Sequence, residues 1–223
     1  MASKQTKIPT YVFDFDSTLV TLESLDELAR IALKNRSDQA EAIKEIEAVT
    51  ALGMTGNIGF DESLKRRLKL FKATKIQVEE VAKLLVQHIS PSIIKNRTWF
   101  KENAERVFVI SGGFKDYIMP VIEILGLSKQ NVYANTFIYG QDGNITGYDS
   151  ANLLCQPHGK VKQLTKLKLA RPVIVVGDGF TDYEIKKAGI ADEFWAFTET
   201  VNRSSVTSLA DRVIKQFDIR EGV

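Results

Sequence analysis

The sequence predicts an α/β fold: a mostly parallel sheet flanked by helices, with a small helical unit inserted after the first strand. Three observations predict it. From about Val20 to Ile89 the chain reads as nearly continuous amphipathic helix; from Val107 onward short apolar runs alternate with helical patterns; and the apolar runs end in Asp14 and Asp16, in Ser111, and in Asp178. Alternating strands and helices build parallel sheets with right-handed crossovers, whereas an all-helical stretch cannot join the sheet and is expected to form a lobe of its own. Ligands of open parallel sheets lie beyond the carboxyl ends of the strands, so these polar residues are expected around one crevice. Residues 1–20 and 90–223 are assigned to the sheet-bearing core and 21–89 to the helical insert.

Each element has its own signal. Tyr11-Val12-Phe13 is a β-rich run suited to a buried strand. Ser24-Leu25-Asp26-Glu27 reads as a capping box opening a helix with Leu25, Leu28, Ala29 and Ala32 on its apolar face. A second helix runs from Asp38 to about Leu52, a third from Asp61 through Leu64, Leu68 and Phe71, and Thr74 with Gln77 caps a fourth. Pro91 suits a first helical turn. Val107 to Ile110 is a strand, Phe114 to Leu125 a helix stopped by Gly126, and Val132 to Ala134 a short strand. Thr136–Tyr139 and Ile145–Tyr148 flank Asp142-Gly143, a hairpin signal. Lys160 to Leu169 is helical, Val173 to Val176 is a buried strand leading to a helix that ends at Ala188, and Phe194 to Phe197 is the last strand expected.

Composition narrows the function. With 44% hydrophobic and 26% charged residues the chain is neither disordered nor fibrous. Thirty basic against 28 acidic residues leave a net charge of +2, which excludes the basic excess of an electrostatically driven nucleic-acid binder. Met1 to Thr10 is polar with no apolar signal-like core, and no stretch approaches a membrane span, so a cytoplasmic protein with no membrane partner is expected. Cys155 is the sole cysteine, which rules out an intrachain disulfide or a cysteine-rich zinc site and fits a buried small side chain. His88 and His158 are isolated and read as polar-surface residues.

The chemistry concentrates in Asp14-Phe-Asp16-Ser-Thr18. Period-two alternation aims both carboxylates to one side and turns Phe15 into the core. With Ser111, Lys160 and Gly177-Asp178-Gly-Phe-Thr181-Asp182 following in order, the chain resembles the haloacid dehalogenase superfamily, whose first motif is DxDx(T/V). The resemblance implies a Rossmann-like core with a cap, Asp14 as nucleophile, and Asp16 as general acid and base. It further implies Ser111, Gly112 and Lys160 as phosphate-binding groups, Mg²⁺ held by Asp14, Asp178 and the backbone carbonyl of Asp16, and Thr18 and Asp182 in support. These types suit the task. A phosphomonoester dianion repels nucleophiles, so a hard cation with oxygen ligands and a lysine must offset its charge before an aspartate can attack.

Within the superfamily the chain is most similar to the phosphoserine phosphatase family, through Asp14-Phe-Asp-Ser-Thr-Leu-Val, Glu23 and Ser111-Gly-Gly-Phe114. That resemblance implies that Glu23 binds the ammonium of a small phosphomonoester, O-phosphoserine, and Arg67 its carboxylate, with Arg66 as the competing arginine. A zwitterion needs one anion and one forked cation, and arginine matches a carboxylate bidentately. Met54 and Phe60 match cap positions that shield substrate. Thr181 stands where many members carry asparagine, and belongs to the substrate side of the site. Another small phosphomonoester is the alternative substrate. A phospho-accepting receiver module is the rival class, disfavoured because its acceptor follows a middle strand and it has no insert. A monomer or homodimer is expected.

Overall fold

The computed structural model describes residues 8–218; the N-terminal Met1–Lys7 segment read above as polar lies outside them. Thr10–Phe13 forms strand β1, every residue buried, because both faces of a central parallel strand are covered. Its alternate residues divide between two hydrophobic clusters: Tyr11 and Phe13 join one, and Val12 joins the other. The same alternation runs through β2 (Val107–Phe114), β6 (Val173–Gly177) and β7 (Glu193–Phe197), where Val109, Val176 and Trp195 face one way and Ile110, Val175 and Phe194 the other. With β3 (Val132–Asn135) and β8 (Arg212–Ile214) these strands form a parallel sheet in the order β3-β2-β1-β6-β7-β8.

Helices α5 (Pro91–Lys95), α6 (Arg97–Glu102) and α7 (Lys115–Leu125) supply the first cluster, and α8 (Gly159–Leu167) and α9 (Phe180–Lys187) the second, where Val206 of the short α10 (Ser204–Thr207) joins them. Between β1 and α5 come α1 (Ser24–Ala32), α2 (Gln39–Met54), α3 (Phe60–Leu70) and α4 (Lys75–Gln87). The chain leaves and re-enters the core side by side. Val20 and Ile89 form an antiparallel bridge, Thr21 N–H donates to the His88 carbonyl (2.8 Å), and Ser90 N–H donates to the Leu19 carbonyl (3.0 Å). Leu28, Leu64, Val81 and Leu85 of the inserted helices pack into the same cluster as Ile118 and Val121 of α7. The insert therefore shares its apolar core with one face of the sheet.

Hairpin β4–β5 (Phe137–Tyr139, Ile145–Tyr148) stands apart from the main sheet. It ties insert to core: Phe137 stacks on Phe114 at 3.6 Å, while Lys75 N–H donates to the Gly143 carbonyl and Ile145 N–H to that of Ala73.

Local readings need three corrections. The capping box at Ser24 does not form: Glu23 is the N-cap residue, without a side-chain cap bond, Ser24 is already helical, and the Ser24 N–H donates to Asp16 Oδ1. The Thr74–Gln77 box, by contrast, is present. Strand β2 extends through Ser111-Gly-Gly to Phe114, since Phe114 pairs with Asn135 of β3. Beyond Phe197 a further strand, β8, closes the sheet; Arg212-Val-Ile is too short to announce itself.

Candidate active site

The cavity at the carboxyl ends of β1 and β2 is lined from the core by Asp14, Asp16, Ser111, Gly112, Lys160 and Thr181, and from the insert by Thr50, Met54, Phe60 and Arg67. The strand end presents Asp14: its N–H donates to the Val176 carbonyl (2.9 Å), and its Oδ1 accepts from Phe15 N–H (2.7 Å) and from Lys160 Nζ (2.7 Å). Ser17 then turns left-handed (φ 52°), a conformation that costs a β-carbon-bearing residue about 1–3 kcal/mol. Its hydroxyl donates to Glu23 Oε1 (2.8 Å), drawing the start of α1 over the loop. Asp16 Oδ1 accepts from Ser24 N–H (3.0 Å), and Phe15 is fully buried. Thr18 Oγ1 donates to Asp178 (3.3 Å), linking the ends of β1 and β6.

Lys160, on the first turn of α8, reaches both Asp14 and Asp182 (2.8 Å). Burial alone would lower its pKa; the two carboxylates more than offset that and raise it, so it is a fixed cation. Asp182 also accepts from Gly179 N–H (3.2 Å). Its pKa is pushed up to about 7, first by burial and next by the charge of Asp14, against the pull of Lys160. The Asp16 carboxyl is pushed up to about 8, chiefly by burial and then by the charge of Glu23. Asp178 is raised by burial and by its acidic neighbours, with Arg203 opposing them.

Oxygens of Asp14, Asp178 and Asp182, all buried, lie within 4.8 Å of one another. Asp16 contributes no carboxylate to that cluster, since its side chain turns toward Ser24. Acids outweigh bases here: Asp14 and Asp182 pair with Lys160, and Glu23 and Asp178 with Arg203, so four acids meet two direct cationic partners. Such a donor set of hard oxygens with surplus negative charge fits a divalent cation.

The tip of the Phe60 ring, from the insert, reaches Gly112 of the core. A Cβ added at Gly112 would fall 2.2 Å from that ring, so only glycine fits beneath it. The reciprocal contact sets Phe180 of the core against Gly56 of the insert, where a Cβ would lie 2.5 Å from the ring. Arg67 is buried and faces the cavity, whereas Arg66 is exposed and pairs with Glu62; geometry separates the two candidates. His158 is exposed and paired with Glu184 (2.8 Å), His88 is half-buried at the end of α4, and Cys155 is buried as expected.

Sequence reasoning missed four residues. Arg203 pairs with Asp178 and with Glu23 (3.5 Å) from a segment without periodic pattern. Asn135 at the end of β3 donates to the Gly112 carbonyl (2.8 Å), steadying the backbone beneath Phe60. Asp26 and Thr50 hold Arg67. The strand-end position of Asn135 was its one available signal.

Residues 11–185 match the haloacid dehalogenase-like hydrolase family, and the chain belongs to it. Its relatives are narrower in kind. The chain is 35% identical over 209 residues to the chloroplastic phosphoserine phosphatase of Arabidopsis thaliana, covering 92% of this chain and 68% of the relative. Among solved structures it is similar to a phosphoserine phosphohydrolase-like protein from Francisella tularensis, with TM-score 0.85, 30% identity, and 94% and 96% of the two chains covered. It is also similar to a phospho-aspartyl intermediate analogue of phosphoserine phosphatase, with TM-score 0.73, 28% identity and 95% of each chain covered.

Proposed function

We propose that this protein hydrolyses O-phosphoserine to serine and inorganic phosphate through a phosphoryl ester on Asp14. One observation carries the reading: a single cavity joins Asp14, Ser111, Gly112 and Lys160 on the core side to Glu23 and Arg67 beneath the insert. The first group suits a phosphate, and the second suits an ammonium and a carboxylate. The similarity to phosphoserine phosphatases supports the same substrate.

In the first half-reaction an Asp14 oxygen forms a bond to phosphorus as the ester P–O bond breaks. Asp16 gives its proton to the departing serine oxygen. In the second, Asp16 takes a proton from water, whose oxygen attacks phosphorus and releases Asp14 as carboxylate. Lys160, fixed between Asp14 and Asp182, offsets repulsion between nucleophile and dianion. Ser111 and the Gly112 N–H, on backbone steadied by Asn135, are the donors to phosphate oxygens. Asp14 and Asp178, with the Asp16 carbonyl, would hold Mg²⁺, which supplies further neutralisation of phosphate charge. Thr18 and Asp182 hold Asp178 and Lys160 in place, and Thr181 lines the substrate side.

We read 21–89 as a cap that opens for substrate. Thr50, Met54, Phe60 and Arg67 of the insert wall the cavity opposite Asp14 and Lys160, and Phe60 presses on Gly112 of the core, so movement of the insert is what would widen the entrance for substrate. The reading carries with it a cytoplasmic enzyme with a small-molecule phosphomonoester substrate, acting as a monomer or homodimer; among the described residues no helix is long and apolar enough to cross a membrane.

The test is phosphate release from phosphoserine, phosphothreonine, phosphoethanolamine and an aryl phosphate, with and without Mg²⁺. Phosphoserine is expected to be preferred, and Arg67→Ala to raise its KM by about 10- to 100-fold, as loss of a charge-assisted pair does, while leaving the aryl phosphate nearly unchanged. Equal loss on every substrate would return the carboxylate assignment to the alternative of another small phosphomonoester.

A further inference from the structure

Three helices of the insert each contribute one polar side chain to a closed hydrogen-bond ring. Thr50 Oγ1 of α2 donates to Asp26 Oδ1 of α1 (2.8 Å), and Arg67 Nη1 of α3 donates to Asp26 Oδ1 (3.3 Å) and to Thr50 Oγ1 (3.2 Å). Each of the three residues is 6% exposed. Arg67 and Thr50 line the cavity, and Asp26 stands behind them. The ring grips one corner of the guanidinium; at the other, Nε is buried with no partner. Buried donors are nearly always paired, so an unpaired one on a side chain that lines the cavity points to an acceptor that arrives with the ligand.

We propose that Asp26 and Thr50 are positioning residues for Arg67: by engaging Nη1 they turn the Nε–Nη2 edge toward the cavity, where it takes a carboxylate side-on. The inference rests on the phosphoserine reading and deepens it. Two physical features separate positioning from mere neutralisation of a buried charge. Thr50 carries no charge, yet bonds both partners, so its hydroxyl adds direction rather than neutralisation. A planar guanidinium held at one nitrogen also has its opposite fork fixed in orientation, which a lone ion pair does not achieve.

Asp26 also repels Glu23 and helps to raise its pKa, behind the larger effect of burial. Substituting Asp26 therefore disturbs the ammonium side of the site as well. Comparing phosphoserine with phosphoethanolamine, which keeps the ammonium and phosphate and lacks the carboxylate, cancels that contribution.

The experiment measures KM and kcat for both substrates on the wild type, Asp26→Asn, Thr50→Val, Thr50→Ser, Arg67→Ala, and Thr50→Val combined with Arg67→Ala. Thr50→Val is expected to raise KM for phosphoserine about tenfold with kcat held within about twofold, leaving phosphoethanolamine unchanged. Asp26→Asn shifts the phosphoserine-to-phosphoethanolamine ratio the same way. Thr50→Ser restores wild-type behaviour, and Thr50→Val adds nothing where Arg67 is already alanine. Should Asp26→Asn fail to fold, the Thr50 series alone decides. A parallel KM rise for both substrates, or a Thr50→Val effect that persists without Arg67, overturns the positioning role alone. A wild-type enzyme with no preference for phosphoserine overturns the substrate reading and this proposal with it.

Discussion

Asp14 is held by its neighbours, since Phe15 N–H and Lys160 Nζ both donate to Oδ1, and in the mechanism proposed above it is the nucleophile. Asparagine keeps the shape and loses the nucleophile. Asp14→Asn is therefore expected to lower kcat by on the order of 10⁴-fold or more, and acid quenching during turnover is expected to trap labelled phosphate on the wild type and none on the variant. Retention of turnover by the variant would remove the covalent intermediate. Asp14, Ser111, Asp178 and Lys160 were legible one by one as candidates, because each of the first three ends an apolar run in the sequence and Lys160 falls in the first turn of a helix. Arg203 was not. Its contact with Asp178 spans 25 positions and forms only because the chain beyond β7 folds back over the strand ends.

The inserted helices act through a few contacts with the core. Phe60 on Gly112 and Phe180 on Gly56 are reciprocal, each pressing a ring from one side onto a glycine from the other. Gly56 has a positive φ of 79°, which costs alanine roughly 1–2 kcal/mol before the clash with Phe180 is counted. Gly56→Ala is therefore expected to favour the open insert. The measurement is kcat/KM together with hydrogen exchange of α2 and α3 in the presence of a phosphate analogue: the variant should lose several-fold in the first and show weaker protection in the second. Unchanged exchange and unchanged kinetics would mean that this contact plays no part in closure. Helical periodicity identified all four inserted helices. It did not show that α1 and α4 merge with the core's hydrophobic cluster, because amphipathicity says that a face is buried and not against what.

Across the whole molecule the sheet divides two apolar clusters, and the larger one closes with aromatic rings. Phe217 meets Trp99 at 5.0 Å, Phe100 at 5.2 Å and Phe13 at 5.4 Å, and it is 4% exposed. Phe217→Ala is expected to destabilise the fold by about 3–5 kcal/mol, read as a lower urea midpoint at unchanged slope. Since Phe217 does not line the active-site cavity, the folded fraction should keep its kcat. A shift under about 0.5 kcal/mol would mean that the ring contributes no more than an exposed side chain does.

The sequence by itself determined the alternation of strands and helices, the insert after the first strand, and the residues at the strand ends, because those depend on local periodicity and spacing along the chain. Only the tertiary structure decided which arginine faces the cavity, which polar groups steady it, and how Arg203 and Asn135 enter the site. Those are properties of side chains brought together from distant positions, and one-dimensional patterning carries no record of which face of one element meets which face of another.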